Sequence, residues 1–233
     1  MPRRVEPEWL DELPPEDPRA IRSRKDLQRV NAFMGNPKIM AGALRAAFEG
    51  KAARSIVDLG AGDGRLMLEA ARQLSPVWKN THVTLLDRQS ILSPATLKDF
   101  ETLGWHAEGL KTDVLDWLRQ PAAQSSDAIV ANLFLHHFRE AQLTELLRQA
   151  AGRTQVFIAV EPRRRAWALA FGRLLWLIGC GPVTRHDALI SIRAGFARRE
   201  MSRLWPSDEN WSLQEGPASL CSHLFVAKRL PVS

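Results

Sequence analysis

The stretch VDLGAGDGRLMLEAA, from Val57 to Ala71, restricts what this chain can fold into more than any other feature. A short apolar run ends on an acid, Asp58, and glycines follow at alternate positions, Gly60, Gly62 and Gly64. Beyond them the spacing of apolar residues is helical. A strand that turns through glycines into a helix lets backbone approach a ligand closely. In a doubly wound sheet that ligand lies beyond the carboxyl ends of the strands, near the first crossover. The dinucleotide fingerprint asks for a glycine at position 65, where Arg65 stands, and no Gly-Lys-Ser/Thr follows to make a phosphate loop. Asp63, inside the turn, would repel a pyrophosphate. The ligand implied lacks a diphosphate and offers Asp58 a cationic or hydrogen-bond-donating group.

The rest of the chain supplies a sheet for this turn. RSIVDLG, HVTLLD, WHAEGL, DAIVANLFL and QVFIAVEP read as strands, separated by helical patterns at 65–74, 94–103, within DVLDWLRQ, and at 139–151. A further apolar helix is expected at 166–178. Such alternation implies right-handed crossovers and a parallel sheet with helices on both faces. FARREMSRLW, NWSLQEG and CSHLFVAKRL read as extended, with turns at Pro206-Ser207-Asp208 and Gly216-Pro217, and are expected to close one edge as an antiparallel pair. Residues 1 to about 18 read as a flexible arm, because Pro14, Pro15 and Pro18 forbid a continuous helix. From Pro18 to Gly50 two helices are expected, broken at Gly35-Asn36-Pro37. The organisation expected is an arm and helical lid over 1–50 and one α/β domain over 51–233.

S-adenosylmethionine suits the glycine turn. It carries an ammonium, a sulfonium, a ribose and a carboxylate, and the last can use the free N–H groups at a helix start. Asp87, ending the next strand, is placed to accept from both ribose hydroxyls. Asp113, after the third strand, is placed for the adenine amino group, with Val114 against the ring. With VDLGAGDG, LLD, TDVLD and NLFLHHF in this order, the chain resembles the class I S-adenosylmethionine-dependent methyltransferases, clearly over about Arg54 to Glu161. The resemblance implies a doubly wound, mostly parallel seven-stranded sheet of order 3-2-1-4-5-7-6 with strand 7 antiparallel. The candidate cofactor residues are Asp58, Gly60, Ala61, Gly62, Gly64, Asp87, Arg88, Asp113, Val114, Asn132 and Leu133.

The methyl acceptor is expected after the fourth strand. Asn132-Leu133-Phe134 lacks the Pro-Pro pair of amino methyltransferases, and neither cysteine follows a proline as cytosine C5 enzymes require. NLFLHHF instead looks like small-molecule methyltransferases, including those acting on quinones. Glu161 to Phe196 resembles a bacterial subgroup associated with type III polyketide synthases and with phenolic-lipid or polyketide-quinone tailoring in secondary metabolism. In it Trp167, Phe171, Leu174, Trp176 and Leu177 are read either as one wall of an apolar pocket or as core. His186 is the first candidate for a general base, read as lying in a polar loop with Asp187 beside it, because histidine titrates near neutrality. His136 and His137 stand either near the methyl donor or as helix caps. His82 and His106 are expected at the surface, and His223 as structural. Arg29, Asn31 or Met34 of the lid is expected to touch the ligand.

Composition narrows the partners. Of 233 residues only Cys180 and Cys221 are cysteine, which speaks against a disulfide framework or a zinc cluster. No apolar leader stands near the N-terminus, and the longest apolar run, Ala166 to Cys180, is short for a span and contains Arg173. The reading is a cytoplasmic enzyme with no transmembrane segment, for which peripheral membrane contact is compatible. The net charge of +6 permits nucleic-acid contact, but no aromatic-basic interleaving supports it. Arg163-Arg164-Arg165 and Arg198-Arg199 are read as solvated faces. The function expected is O- or C-methylation of a small aromatic, phenolic or polyketide-derived acceptor. The alternatives are an RNA or protein methyltransferase and a non-catalytic S-adenosylmethionine-binding protein, while Arg65 disfavours a nicotinamide enzyme.

Overall fold

The computed structural model describes residues 1–89, 91–120, 125–207 and 210–231. Asp208 of the expected turn at 206–208 lies outside the described residues, as does the side chain of Phe171. Seven strands form one sheet in the order β3-β2-β1-β4-β5-β7-β6. They are β1 Ser55–Leu59, β2 His82–Asp87, β3 His106–Lys111, β4 Ser126–Asn132, β5 Thr154–Pro162, β6 Trp211–Pro217 and β7 Ser222–Arg229. The first five run parallel, while β7 is antiparallel to both β5 and β6. The expected order and hand of pairing are both present. The order reverses where β1 meets β4, so a crevice opens at the carboxyl ends of those strands.

Ten helices accompany the sheet among the described residues: α1 Trp9–Glu12, α2 Pro18–Met34, α3 Asn36–Ala47, α4 Arg65–Leu74, α5 Pro94–Thr102, α6 Val114–Arg119, α7 Glu140–Ala151, α8 Ala166–Arg173, α9 Pro182–Ala194 and α10 Glu200–Leu204. Met40 and Leu44 of α3, Met67 and Leu68 of α4, and Phe100 of α5 pack one sheet face. Trp117 of α6, Leu143 and Leu147 of α7, and Met201 of α10 pack the other. The interior of the sheet, Ile129 to Ala131 and Phe157 to Val160, is buried from both sides, as continuous apolar strands of a covered parallel sheet should be.

Three expectations change. Segment 182–194, read as a polar loop around His186, is helix α9, started by Pro182 at its first turn. FARREMSRLW is not extended throughout but contains α10. The apolar helix ends at Arg173 and continues as a tighter 3₁₀ segment, Leu174–Ile178, closed by Gly179 in the left-handed conformation. The break between α2 and α3 falls at Gly35, at φ +72°, where expected.

The N-terminal residues also differ from a loose arm. Arg3 donates from Nε to the Ala194 carbonyl at 2.8 Å and from Nη2 to Phe138 O at 2.9 Å. The amides of Trp9 and Leu10 donate to the two carboxylate oxygens of Asp187, at 2.9 and 3.0 Å. Residues 1–12 form a strap across α9 and the end of β4. The Arg163–Arg165 run is not a uniform solvated face either. Arg164 is buried, paired with Glu200, and only Arg165 is fully exposed.

Candidate functional site

A cavity of about 1300 Å³ opens at the carboxyl ends of β1, β2 and β4, under α2, α9 and the strap. A pocket for one drug-sized ligand is about 300–1,000 Å³, so this one has room for a cofactor and an acceptor together.

One end is built by the glycine turn. Gly60 sits at φ +69°, and a Cβ there would collide with the Phe134 ring. Its amide and that of Ala61 donate to Leu86 O, at 2.9 and 3.0 Å, which fixes the turn against β2. Gly62, at φ +58°, lines the cavity and has only the Ile91 Cδ1, 4.0 Å away, beside the place of a Cβ, so its backbone is little covered. Gly64 is different. It precedes α4 at φ +73°, packs against Leu85 and does not line the cavity, so its glycine serves the fold and not the ligand.

Asp58, at the end of β1, is buried, and burial together with the charge of Asp87 raises its pKa to about 8. Near neutral pH such a carboxyl is largely protonated until a cation or donor joins it. Asp87 accepts from the Gly62 amide at 2.9 Å and from the Gln89 amide at 2.8 Å, one on each oxygen. An ionised carboxylate has about four acceptor sites, so hydroxyl partners can be added. Asp113 caps α6 by accepting from Leu115 N at 2.8 Å, with Val114 beside it at the cavity wall. Arg88 also lines the cavity. A little-covered glycine backbone, an acid short of a cation and two further strand-end acids fit the ammonium, sulfonium and ribose of S-adenosylmethionine.

Helix α2 meets this end through polar contacts. Gln28 of α2 donates to Asp63 Oδ2 at 2.6 Å. Asn36 donates to Asn31 Oδ1 at 2.9 Å and to Asn132 Oδ1 at 3.0 Å, and Asn132 donates back to Asn31 at 3.2 Å. Asn132 therefore ties the end of β4 to both α2 and α3. Asn31 and Met34 line the cavity as expected, and Arg29 does not. Leu133 follows at φ +49°, an uncommon conformation for a branched residue that turns the chain sharply out of β4. The turn sets Phe134 over Gly60 and Leu135–His137 into a 3₁₀ turn.

The histidines separate into three roles. His136 is enclosed: Glu161 Oε2 accepts from Nδ1 at 2.8 Å, and Glu8 Oε1 lies 3.3 Å from Nε2. Burial disfavours the charged ring, but the hydrogen bonds and charges of Glu161 and Glu8 outweigh it and raise the pKa to about 9. Burial likewise opposes ionisation of Glu8, and His136 reverses that, bringing its pKa down to about 2. His136 is thus an imidazolium with both nitrogens engaged, fastening the strap and unable to take a proton. His186 is corrected more strongly. Its ring stacks on Trp9, centroids 3.7 Å apart, its Nδ1 meets Asp187 Oδ1 at 3.0 Å, and it does not line the cavity. His137 lines the cavity, with Asp11 Oδ2 3.3 Å from its Nδ1. His82 and His106 stack on each other at the exposed ends of β2 and β3, and His223 is buried against Glu215.

The expected apolar wall also turns out differently. The faces of α8 and the 3₁₀ segment toward the cavity are Ala168, Gly172 and Leu175, not Trp167, Leu174, Trp176 or Leu177. Glu8, Asp11 and Glu161 were absent from the candidates. Glu161 left one signal, an acid ending the otherwise apolar strand QVFIAVEP; the strap acids left none, because their partners are more than a hundred residues away.

Residues 56–155 match the family model described as a methyltransferase domain. Among solved structures, the plantazolicin methyltransferase BpumL in complex with SAH is similar at a TM-score of 0.63 and 17% identity, covering 92% of this chain and 91% of that one. An O-methyltransferase family protein from Burkholderia thailandensis is similar at 0.62 and 16%, covering 94% of this chain and 62% of the other. The mitomycin 7-O-methyltransferase MmcR gives 0.55 and 16%, covering 94% and 60%. At these identities the likeness is one of fold. No curated protein matches in sequence.

Proposed function

We propose that this chain, an S-adenosylmethionine-dependent methyltransferase of the class I fold, methylates a small apolar acceptor, phenolic or polyketide-derived, at oxygen or carbon. One observation carries the reading. One cavity is lined by the acids Asp58, Asp87 and Asp113 and also by Phe134, Phe138, Leu175 and Ile192, with His137 among the same lining residues. The resemblance of 161–196 to polyketide- and quinone-tailoring enzymes supports the acceptor class.

When bound, S-adenosylmethionine supplies a methyl carbon made electrophilic by its sulfonium. The chain's own work is positioning and proton removal. Asp87 and Asp113 would hold the ribose and adenine, and Asp58 would face a cationic group of the cofactor. The little-covered backbone at Gly62 lets the ligand approach. Asn132, held by Asn31 and Asn36, sets the turn that delivers Phe134 and His137 to the acceptor chamber. His137, oriented by Asp11, takes the proton from an acceptor hydroxyl through Nε2. Strap and lid roof the chamber and keep water out.

The test is calorimetric binding of S-adenosylmethionine, followed by mass-spectrometric detection of methylated product from a panel of alkyl phenols and hydroxyquinones. The expected result is product with a mass gain of one methylene, and little product from His137→Ala. Tight cofactor binding with no turnover on any member, and methylation of RNA or protein instead, would overturn the acceptor class.

A further inference from the structure

Helix α8 and the 3₁₀ segment after it have two faces, and the roof over the cavity uses only one. Apart from the residues that line the cavity, Trp167, Leu174, Trp176, Leu177 and Ile178 stand 37–61% exposed. Scattered exposed apolar residues are ordinary, but a contiguous group containing two tryptophans marks an interaction surface. Its charge surroundings are one-sided. Between Glu161 and Asp187 the chain carries five arginines, at 163, 164, 165, 173 and 185, and no acid, and of these Arg164 is buried against Glu200 and does not belong to the surface. Arg165 and Arg173 are exposed beside the apolar group, and Arg22 of α2 reaches it through a 3.3 Å bond to Gly179 O.

We propose that this face docks on an anionic lipid surface. Tryptophan and leucine below a rim of arginine is the pattern of a segment lying in the interface plane, with its apolar side about 5–10 Å deep. Arginines at that depth meet lipid phosphates. A second copy of this chain fits the face less well. A two-fold contact sets the same patch against itself, which would bring the exposed Arg165 and Arg173 of both copies together, while Asp26, the acid that meets Gly181, is buried and already engaged by Gly181, Thr184 and Arg29. No helix among the described residues is long and apolar enough to cross a membrane, so the contact is peripheral. Docking also brings the cavity wall at Ala168, Gly172 and Leu175 next to the layer in which an apolar acceptor dissolves. That corollary rests on the proposed acceptor class; the docking does not.

The experiment is co-sedimentation of the full chain with vesicles of phosphatidylcholine, with and without phosphatidylglycerol, across a salt series. Anionic vesicles should bind the protein, neutral ones much less, and salt should release it. The double variant Trp176→Asp/Leu177→Asp should lose at least about tenfold in partition, as expected for two apolar anchors removed. Val77→Asp, at an exposed position outside this face, should bind as wild type. Unchanged calorimetric binding of SAH by each variant would show that it is folded. Absence of binding to anionic vesicles, equal binding to neutral ones, or equal binding by the double variant would overturn the proposal. So would a wild-type dimer, seen by light scattering, that the double variant abolishes. Vesicle binding without turnover of any phenolic acceptor would count against the acceptor class alone.

Discussion

Asp58 concentrates the chemistry of the cofactor end in one side chain. A buried carboxyl with its pKa raised to about 8 binds a proton in the folded state that the unfolded chain releases near pH 3.8. The native state therefore holds more protons between those values, and this residue makes folding less favourable as pH rises through that window. Asp58→Asn should raise the melting temperature of the ligand-free protein above pH 8 and leave it nearly unchanged near pH 4. The same change should weaken S-adenosylmethionine binding, since the cation loses its partner. A lower melting temperature at pH 8 would show that the carboxyl is ionised and paired without ligand. Gly60 is constrained by space as well as by charge. Gly60→Ala forces a side chain into the left-handed region and against Phe134, at a cost of about 1–3 kcal/mol from the backbone alone. Chemical denaturation should find a loss of at least that size, together with weaker cofactor binding.

Among the elements, the strap joins fold and site. His136, with its pKa near 9, contributes stability that is complete below its unfolded value of 6.5 and is lost as pH rises through 9. Glu8, near 2, contributes above 4.5 and loses its part as pH falls toward 2. The strap should thus be held best between about pH 4.5 and 6.5 and loosen toward pH 9. Tryptic cleavage after Arg3 and Arg4 should quicken over the alkaline range, and Glu8→Gln should make it fast at pH 6. Cleavage independent of both pH and Glu8 would leave Arg3 and Asp187 as the real fasteners. This element also shows where sequence reading ends. The sheet was legible because each strand and helix announces itself by local spacing, and the glycine turn because three residue types must stand in one order. Helix α9 was missed because its first half, Thr184 to Asp187, is polar and meets polar partners: Asp187 faces the strap and Thr184 faces Ser23 of α2. His186 looked catalytic for the same reason, a histidine next to an acid, and only the stacked Trp9 shows that it belongs to the roof. The candidates at strand ends line one cavity because topology brings strand ends together, whereas the strap's contacts follow no period.

Over the whole molecule the division lies between sheet and roof. Both apolar clusters lie against the sheet, and no residue of α1, α2 or α9 belongs to their buried sets. The roof is fastened by polar groups instead. Asp26 of α2 accepts from Gly181 N at 2.7 Å and Thr184 Oγ1 at 3.1 Å, and Arg3, Gln28, Asn31, Glu8 and Asp187 make further ties. Net hydrogen bonds contribute about 0.5–1.5 kcal/mol each, less than burial of a large apolar side chain. Opening the roof should therefore cost much less free energy than unfolding the sheet, as lids that admit a ligand require. Hydrogen exchange should show amides of α2 and α9 exchanging well before those of β1, β4 and β5. A ligand that touches both parts changes this. At a hundredfold excess over its dissociation constant, SAH stabilises the form it binds by about 2.7 kcal/mol. For a domain of this size that raises the melting temperature by roughly 5–11 °C. Because the roof supplies Asn31 and Met34 to the cavity, its amides should gain protection along with the sheet. Asn36→Ala removes two of the three amide bonds among Asn31, Asn36 and Asn132 and leaves α2 tied to β4 by Asn132 alone, so roof protection on ligand binding should fall while the glycine turn still gains its share. Equal exchange in roof and sheet without ligand would mean that the two parts open together and that the polar ties hold as firmly as the core.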